Sequence, residues 1–153
     1  MKFEYPRIIK NNIIKDSRGS LLEIFHDNRF KEKFPFALFV TSKKNVFRGL
    51  HFQKKKQQAK LVIIVTGKIT DYCLDLRKKS PTYLKIFKFK LKENSILYIP
   101  KGFAHGYYTH KEKTKIIYLL SDYRSKSNES GVAYNDKLIG LNLGKKTIIS
   151  SKD

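Results

Sequence analysis

Cysteine is nearly absent. Cys73 stands alone in 153 residues, so no disulfide can form within the chain, and one unpaired thiol fits a reducing cytoplasm. Tryptophan is missing, and the four prolines fall at segment boundaries rather than within apolar runs. The longest such run, Leu61 to Val65, is far short of the roughly 20 residues a membrane-spanning helix needs. Met1 to Lys10 has neither the apolar stretch nor the small-residue cleavage site of a secretory signal. These absences exclude a disulfide-stapled scaffold and a helical membrane protein, and they imply a cytoplasmic location. Acidic residues are also scarce: 13 against 33 basic ones, for a net charge of +20.

That charge permits three readings: a nucleic-acid partner, an anionic small substrate, or a surface that simply favours lysine. Of the 33 basic residues 27 are lysine, scattered over many short segments without an aromatic-basic cluster. The scatter fits a solvated surface better than a nucleic-acid groove. A hydrophobic content of 41% with 13% aromatics indicates a folded globule. Its length suits one domain spanning 1–153.

Hydrophobic periodicity of two dominates. Phe3 to Ile14, interrupted by Pro6, reads as an edge strand. A turn at Asp16–Gly19 precedes a strand over 20–25, and Asp27 to Lys33 suggests a short helical turn. Strands follow at 36–41, around His51, from Lys60 to Gly67, and at 69–76, 83–91, 95–99, 103–108 and 114–120. Turn residues separate them. Beyond Ser121 the chain is polar, with one further strand expected over 139–143 and an apolar pair at Ile148-Ile149. About ten short strands and no long helix indicate an all-β barrel or jelly roll, the double-stranded β-helix of the cupins.

Within this frame His51 and Lys60 stand at the edges of apolar strands. A base and a cation on neighbouring strands suit removal of a proton next to a carbonyl, the cation stabilising the enolate oxygen. Tyr118, at the end of another apolar strand, offers a hydroxyl that can return a proton to the opposite face. Taken singly, each residue fits a structural role better than a chemical one: a satisfied core histidine, a surface lysine, a core tyrosine. Pro100–His105 has the proline, glycine and histidine spacing of a cupin metal strand. The companion positions, however, read His51-Phe52-Gln53 and Lys60. Glutamine is a poor transition-metal ligand and an ammonium repels a dication, so no metal is expected.

In combination, these segments resemble the dTDP-4-dehydrorhamnose 3,5-epimerase family. The resemblance is carried by Asp16-Ser17-Arg18-Gly19 with Glu23, Arg48–Gln53, Gln58–Val62, and Asp75-Leu76-Arg77 with Ser80-Pro81-Thr82. It continues through Ile99–Gly106, Glu129–Val132, Asn135-Asp136 and Ser151-Lys152-Asp153. It implies a cofactor-free epimerase acting on a nucleotide-diphosphate sugar, in deoxysugar and surface-polysaccharide synthesis. By motif, His51 matches the base, Asp153 the carboxylate that orients it, Lys60 the cation at the keto oxygen and Tyr118 the acid. Tyr123 matches a ring that packs on the nucleotide base. Arg18, Glu23, Arg48, Gln53, His105, Glu129 and Lys152 match substrate contacts. The resemblance also implies a homodimer in which Arg18 and Glu23 act in the neighbouring subunit's pocket, with neither nucleic acid nor membrane as partner.

The chain departs from the family pattern in three places. The strand before Arg48 lacks the glutamine and asparagine that contact the nucleotide. Asn142-Leu143-Gly144 replaces an aromatic and a proline. Asp153 is the last residue, where chains tend to fray. A related cupin 3,4-ketoisomerase and a non-catalytic sugar-nucleotide-binding cupin are the alternative readings. The sequence does not select the nucleotide base, hexose or heptose, or C3, C5 or both.

Overall fold

Alternation of apolar and polar residues produces strands almost throughout. The computed structural model describes residues 3–137, 139–151 and 153, and these contain twelve strands. They are β1 (Arg7–Ile9), β2 (Ile13–Asp16), β3 (Gly19–Leu22), β4 (Phe36–Ser42), β5 (Phe47–Gln53) and β6 (Lys60–Thr66). The series continues with β7 (Lys68–Asp75), β8 (Ile86–Lys92), β9 (Ile96–Ile99), β10 (Phe103–Thr109), β11 (Thr114–Leu120) and β12 (Glu129–Gly131). One five-stranded sheet has the order β1-β9-β6-β11-β4 and the other β12-β5-β10-β7-β8. The hairpin β2–β3 forms a separate two-stranded sheet. The expected all-β jelly roll is what forms.

Both five-stranded sheets contribute to a single interior cluster, which includes Val62 and Ile64 of β6, Ile69 and Cys73 of β7, and Ile116 and Tyr118 of β11. Two outer layers complete the packing. Phe25, Phe30 and Phe34 cover Leu61, Ile63, Ile96 and Tyr98. On the other side Tyr134, Ile139, Leu143 and Ile149 pack against Phe47, Leu50, Tyr72 and Leu74. This explains why β6 reads as a continuous apolar run: both of its faces are covered, as in a buried strand. By contrast β8 is an edge strand whose Lys88, Lys90 and Lys92 are exposed, charges that discourage edge-to-edge association.

Several boundaries differ from the sequence reading. The single entry strand expected over 3–14 is two short strands: β1 pairs with β9, and β2 pairs with β3. The helical turn expected from Asp27 to Lys33 is a 3-10 turn of Asp27–Arg29. Strand β8 starts at Ile86 rather than 83, because the chain first wraps around Asp75. Ser80 Oγ and Thr82 Oγ1 each donate to Asp75 Oδ2 at 2.7 Å, and Leu84 takes a φ of 62°. No strand forms over 139–143; Ile139, Leu141 and Leu143 serve as irregular apolar cover. Strand β12, only three residues long and without a large apolar side chain, carries no periodic signal and was not expected. Among the described residues no helix is long and apolar enough to cross a membrane.

Strands β5 and β10 approach closely at two glycines. A Cβ on Gly106 would meet Arg48 O at 2.6 Å, and one on Gly49 would meet Gly106 Cα at 2.4 Å. Only glycines permit this crossing, where the register of β10 against β5 shifts between His105 and Tyr107. Gly106→Ala is therefore expected to destabilise the fold by about 1–3 kcal/mol through overpacking. Urea unfolding with an unchanged m-value is the check.

Candidate functional site

The crossing of β5 and β10 sets His51 directly opposite His105. Around them lies a cavity of about 370 Å³, lined chiefly by residues of β4, β5, β6, β10, β11 and the C-terminal segment. His51, Lys60, Tyr118 and Asp153, the four residues expected to carry chemistry, all line it. So do Arg48, Gln53, His105 and Glu129 from the expected substrate contacts.

His51 Nε2 lies 2.9 Å from Asp153 Oδ1, with the Asp153 side chain only 4% exposed. The pairing fixes the imidazole tautomer: Nε2–H points to the carboxylate, leaving Nδ1 as the nitrogen with a lone pair. Asp153 does not hang free. Its Oδ1 also accepts from Gly49 N (3.1 Å), and its Oδ2 accepts from Ser150 Oγ (2.8 Å). Upstream, Phe47 N donates to Ile148 O and Ile148 N donates to Asn45 O. The C-terminal segment is thus laced to the start of β5, and fraying at the last residue is countered by these bonds.

Lys60, at the start of β6, has its ammonium 3.5 Å from His51 O. Burial lowers its pKa to about 8. Behind it, His105 Nε2 bonds Asp71 Oδ2 at 2.7 Å, and the Cys73 thiol reaches Asp71 Oδ1 at 3.4 Å. Burial holds the His105 pKa below its ordinary value despite the carboxylate, so the ring is neutral near pH 7 and donates from Nε2. Tyr118 packs edge-on against His105, ring centroids 5.8 Å apart. Burial drives its hydroxyl well above the normal phenol value, so it stays protonated until a strongly basic partner is offered.

Three expected contacts among the described residues, Arg18, Glu23 and Tyr123, do not line the cavity. Arg18 sits at the tip of the β2–β3 hairpin, its side chain 88% exposed and paired with Asp16 at 2.6 Å. Glu23 pairs with Arg29 at 2.7 Å. Tyr123 is 64% exposed and rests against Phe36, centroids 5.7 Å apart. Lys152 lies outside the described residues.

Other wall residues escaped sequence reasoning. Leu38 and Val40 of β4 line the cavity, giving it an aliphatic side; Leu38 is in register with Tyr118 on β11. Tyr107 OH and Arg48 Nε both reach Ser42 Oγ, at 2.9 and 3.3 Å. Gln58 anchors the loop before β6 by donating to Asp122 O at 2.8 Å. Asp71 was legible in principle, since alternation along β7 puts it on the same face as Ile69 and Cys73. Arg124, by contrast, carries no periodic signal. Among the described residues no group of three His, Cys, Asp or Glu side chains is arranged to hold a metal ion.

Fold and cavity define a cupin-type jelly roll with an imidazole–carboxylate pair, a buried ammonium and a buried phenol around one chamber. A model of the family described as dTDP-4-dehydrorhamnose 3,5-epimerase matches residues 2–153. The Salmonella typhimurium dTDP-4-dehydrorhamnose 3,5-epimerase is 38% identical over 143 residues, covering 88% of this chain and 78% of that protein. The Neisseria gonorrhoeae enzyme of the same description is 35% identical over 96% of this chain, which spans 48% of that relative. Among solved structures, a Legionella pneumophila dTDP-6-deoxy-D-glucose-3,5-epimerase in complex with dTDP-4-keto-L-rhamnose superposes with a TM-score of 0.92. It is 31% identical, over 100% of this chain and 87% of that one. A Bacillus anthracis dTDP-4-dehydrorhamnose 3,5-epimerase with TDP and PPi bound gives a TM-score of 0.91 at 32% identity, covering 97% of this chain and 90% of that chain. The chain belongs to the dTDP-4-dehydrorhamnose 3,5-epimerase family, and it is an isomerase of the epimerase kind.

Keeping a lysine inside the barrel costs stability. The folded pKa of about 8 lies below the ordinary lysine value of 10.5. The penalty is therefore full below pH 8 and is relieved as pH rises from 8 toward 10.5, where the folded state sheds the proton first. Lys60→Met should accordingly raise stability at pH 7 by on the order of 1–3 kcal/mol. Urea unfolding of both proteins at pH 7 and pH 10 should show that gain shrinking at the higher pH.

Proposed function

We propose that the chain, acting as one domain, inverts the carbons beside the ketone of a dTDP-4-dehydro-6-deoxyglucose-type sugar nucleotide, within deoxysugar and surface-polysaccharide synthesis. The observation that carries this reading is the meeting of His51–Asp153, Lys60 and Tyr118 around one cavity. A hydrogen at C3 or C5 is acidified by the C4 ketone. His51 Nδ1 takes it as a proton, and the C–H electron pair moves through the new C=C bond onto the ketone oxygen. Lys60 holds that enolate oxygen by charge and hydrogen bond. Asp153 supports the imidazolium formed.

Tyr118 then gives its proton to the carbon from the opposite face as the enolate collapses to the ketone. The enzyme is left with a phenolate and an imidazolium, and transfer of one proton through solvent restores both. The high resting pKa of Tyr118 suits this role: the hydroxyl is never ionised prematurely, and an enolate carbon is basic enough to take its proton. The protein is a cytoplasmic homodimer on this reading. Arg18 and Glu23 reach the partner's cavity from the β2–β3 hairpin and the segment after it, which explains their distance from their own. The exposed Ile14 and Leu21 on that hairpin, at 65% and 63%, are consistent with a surface that another subunit covers.

Incubation with dTDP-4-keto-6-deoxyglucose in deuterium oxide, followed by NMR, tests the reaction. Wild type should incorporate deuterium at C3, C5 or both and yield an epimer. His51→Ala should lose about 10²–10⁴-fold of that rate. A shifted carbonyl in the product would indicate ketoisomerisation instead, and a folded wild type that exchanges nothing would point to a binding protein. Because Lys60 must be charged to steady the enolate, kcat should fall as pH rises through about 8.

A further inference from the structure

We infer that Arg124 binds the substrate's diphosphate and that Glu129, rather than contacting the nucleotide, is the residue that positions it. The inference rests on the substrate class proposed above. Arg124 follows β11 in an irregular stretch, yet its guanidinium is not loose. Nη2 donates to Glu129 Oε1 and Oε2 at 3.0 and 2.7 Å, and Nε donates to Oε2 at 3.2 Å. This side-on pairing uses Nε and Nη2 and leaves Nη1 without a hydrogen bond among the described residues. Glu129 in turn is fixed by β12, paired to β5 with Glu129 opposite Gln53. The cation is therefore tethered to the strand that carries Arg48 and His51, and it lines the same cavity.

Two further features point to a phosphate. Arg124 engages both Glu129 oxygens and offsets the carboxylate charge, which, bare, would repel a diphosphate. Secondly, the described cations on the cavity wall are Arg48, Lys60 and Arg124. Lys60 is buried beside His51, and Arg48 commits its Nε to Ser42. Arg18 lies out on the hairpin. Within one subunit, Arg124 is thus the second guanidinium available to a diphosphate, which accepts the planar fork well.

Calorimetric titration of full-length protein with thymidine monophosphate and thymidine diphosphate tests this. Arg124→Ala should weaken the diphosphate about tenfold or more while changing the monophosphate much less. Arg124→Lys should recover part of the loss, and Glu129→Gln should weaken the diphosphate in the same direction by a smaller factor. Equal weakening of both ligands in Arg124→Ala would make Arg124 a contact to the shared part of the ligands and overturn the inference. Unchanged affinities would reduce the pair to a surface tether and overturn it equally. Binding of neither ligand by wild type would remove the proposed substrate class as well, whereas tight diphosphate binding indifferent to Arg124 removes this inference alone.

Discussion

Everything in the chamber depends on how closely β5 can lie on β10. Glycines at 49 and 106 let the two backbones cross at a distance no side chain would allow. The crossing places His51 opposite His105 and draws the C-terminal segment to the start of β5, where Gly49 N and the His51 ring share one carboxylate oxygen of Asp153. An imidazole oriented by a carboxylate about a hundred residues away is thereby built on a strand instead of a loop, a placement that holds a functional side chain more precisely than a loop does.

The interior is also unusual in what it buries. A barrel of this size would be more stable filled with aliphatic side chains, yet Asp71, His105 and Tyr118 are buried in it with Cys73, and the half-buried Lys60 lines its cavity. Asp71 is the partner that makes this tolerable: it receives His105 on one oxygen and the Cys73 thiol on the other. Its charge also opposes the desolvation of Lys60. Lys60 remains under-compensated, which is why its proton is held loosely. On the proposed mechanism that looseness has a use, because a cation held out of bulk water stands next to the place where negative charge would develop.

The fold was largely legible because most strands alternate visibly, and even the continuous run of β6 is bounded by turn residues. What escaped was structure that owes nothing to periodicity. Strand β12 is held by pairing with β5 alone, and the late start of β8 follows from Ser80 and Thr82 bonding Asp75. The apolar residues 139–143, read as a strand, are cover for the outer face of β5 and β7. In the site, motif resemblance singled out His51, Lys60, Tyr118 and Asp153, and the fold gathers these four around one cavity. The resemblance could not reveal that β4 turns Leu38 and Val40 into the cavity, or that Arg124 engages both oxygens of Glu129. Both facts arise from register and side-chain pairing. Arg18 and Glu23 were read as ligands, yet the fold leaves both outside the cavity, on the β2–β3 hairpin and the segment after it.

The central claim is that His51 and Tyr118 act on opposite faces of one carbon. The most direct test is Tyr118→Phe with dTDP-4-keto-6-deoxyglucose in deuterium oxide, following deuterium in recovered substrate and in epimer separately. With the base intact and the acid removed, His51 should still take the proton and return deuterium to the same face. Labelled but uninverted substrate should accumulate while epimer nearly disappears. Epimer formed at the wild-type rate, or exchange and inversion lost in equal measure, would contradict the two-faced assignment.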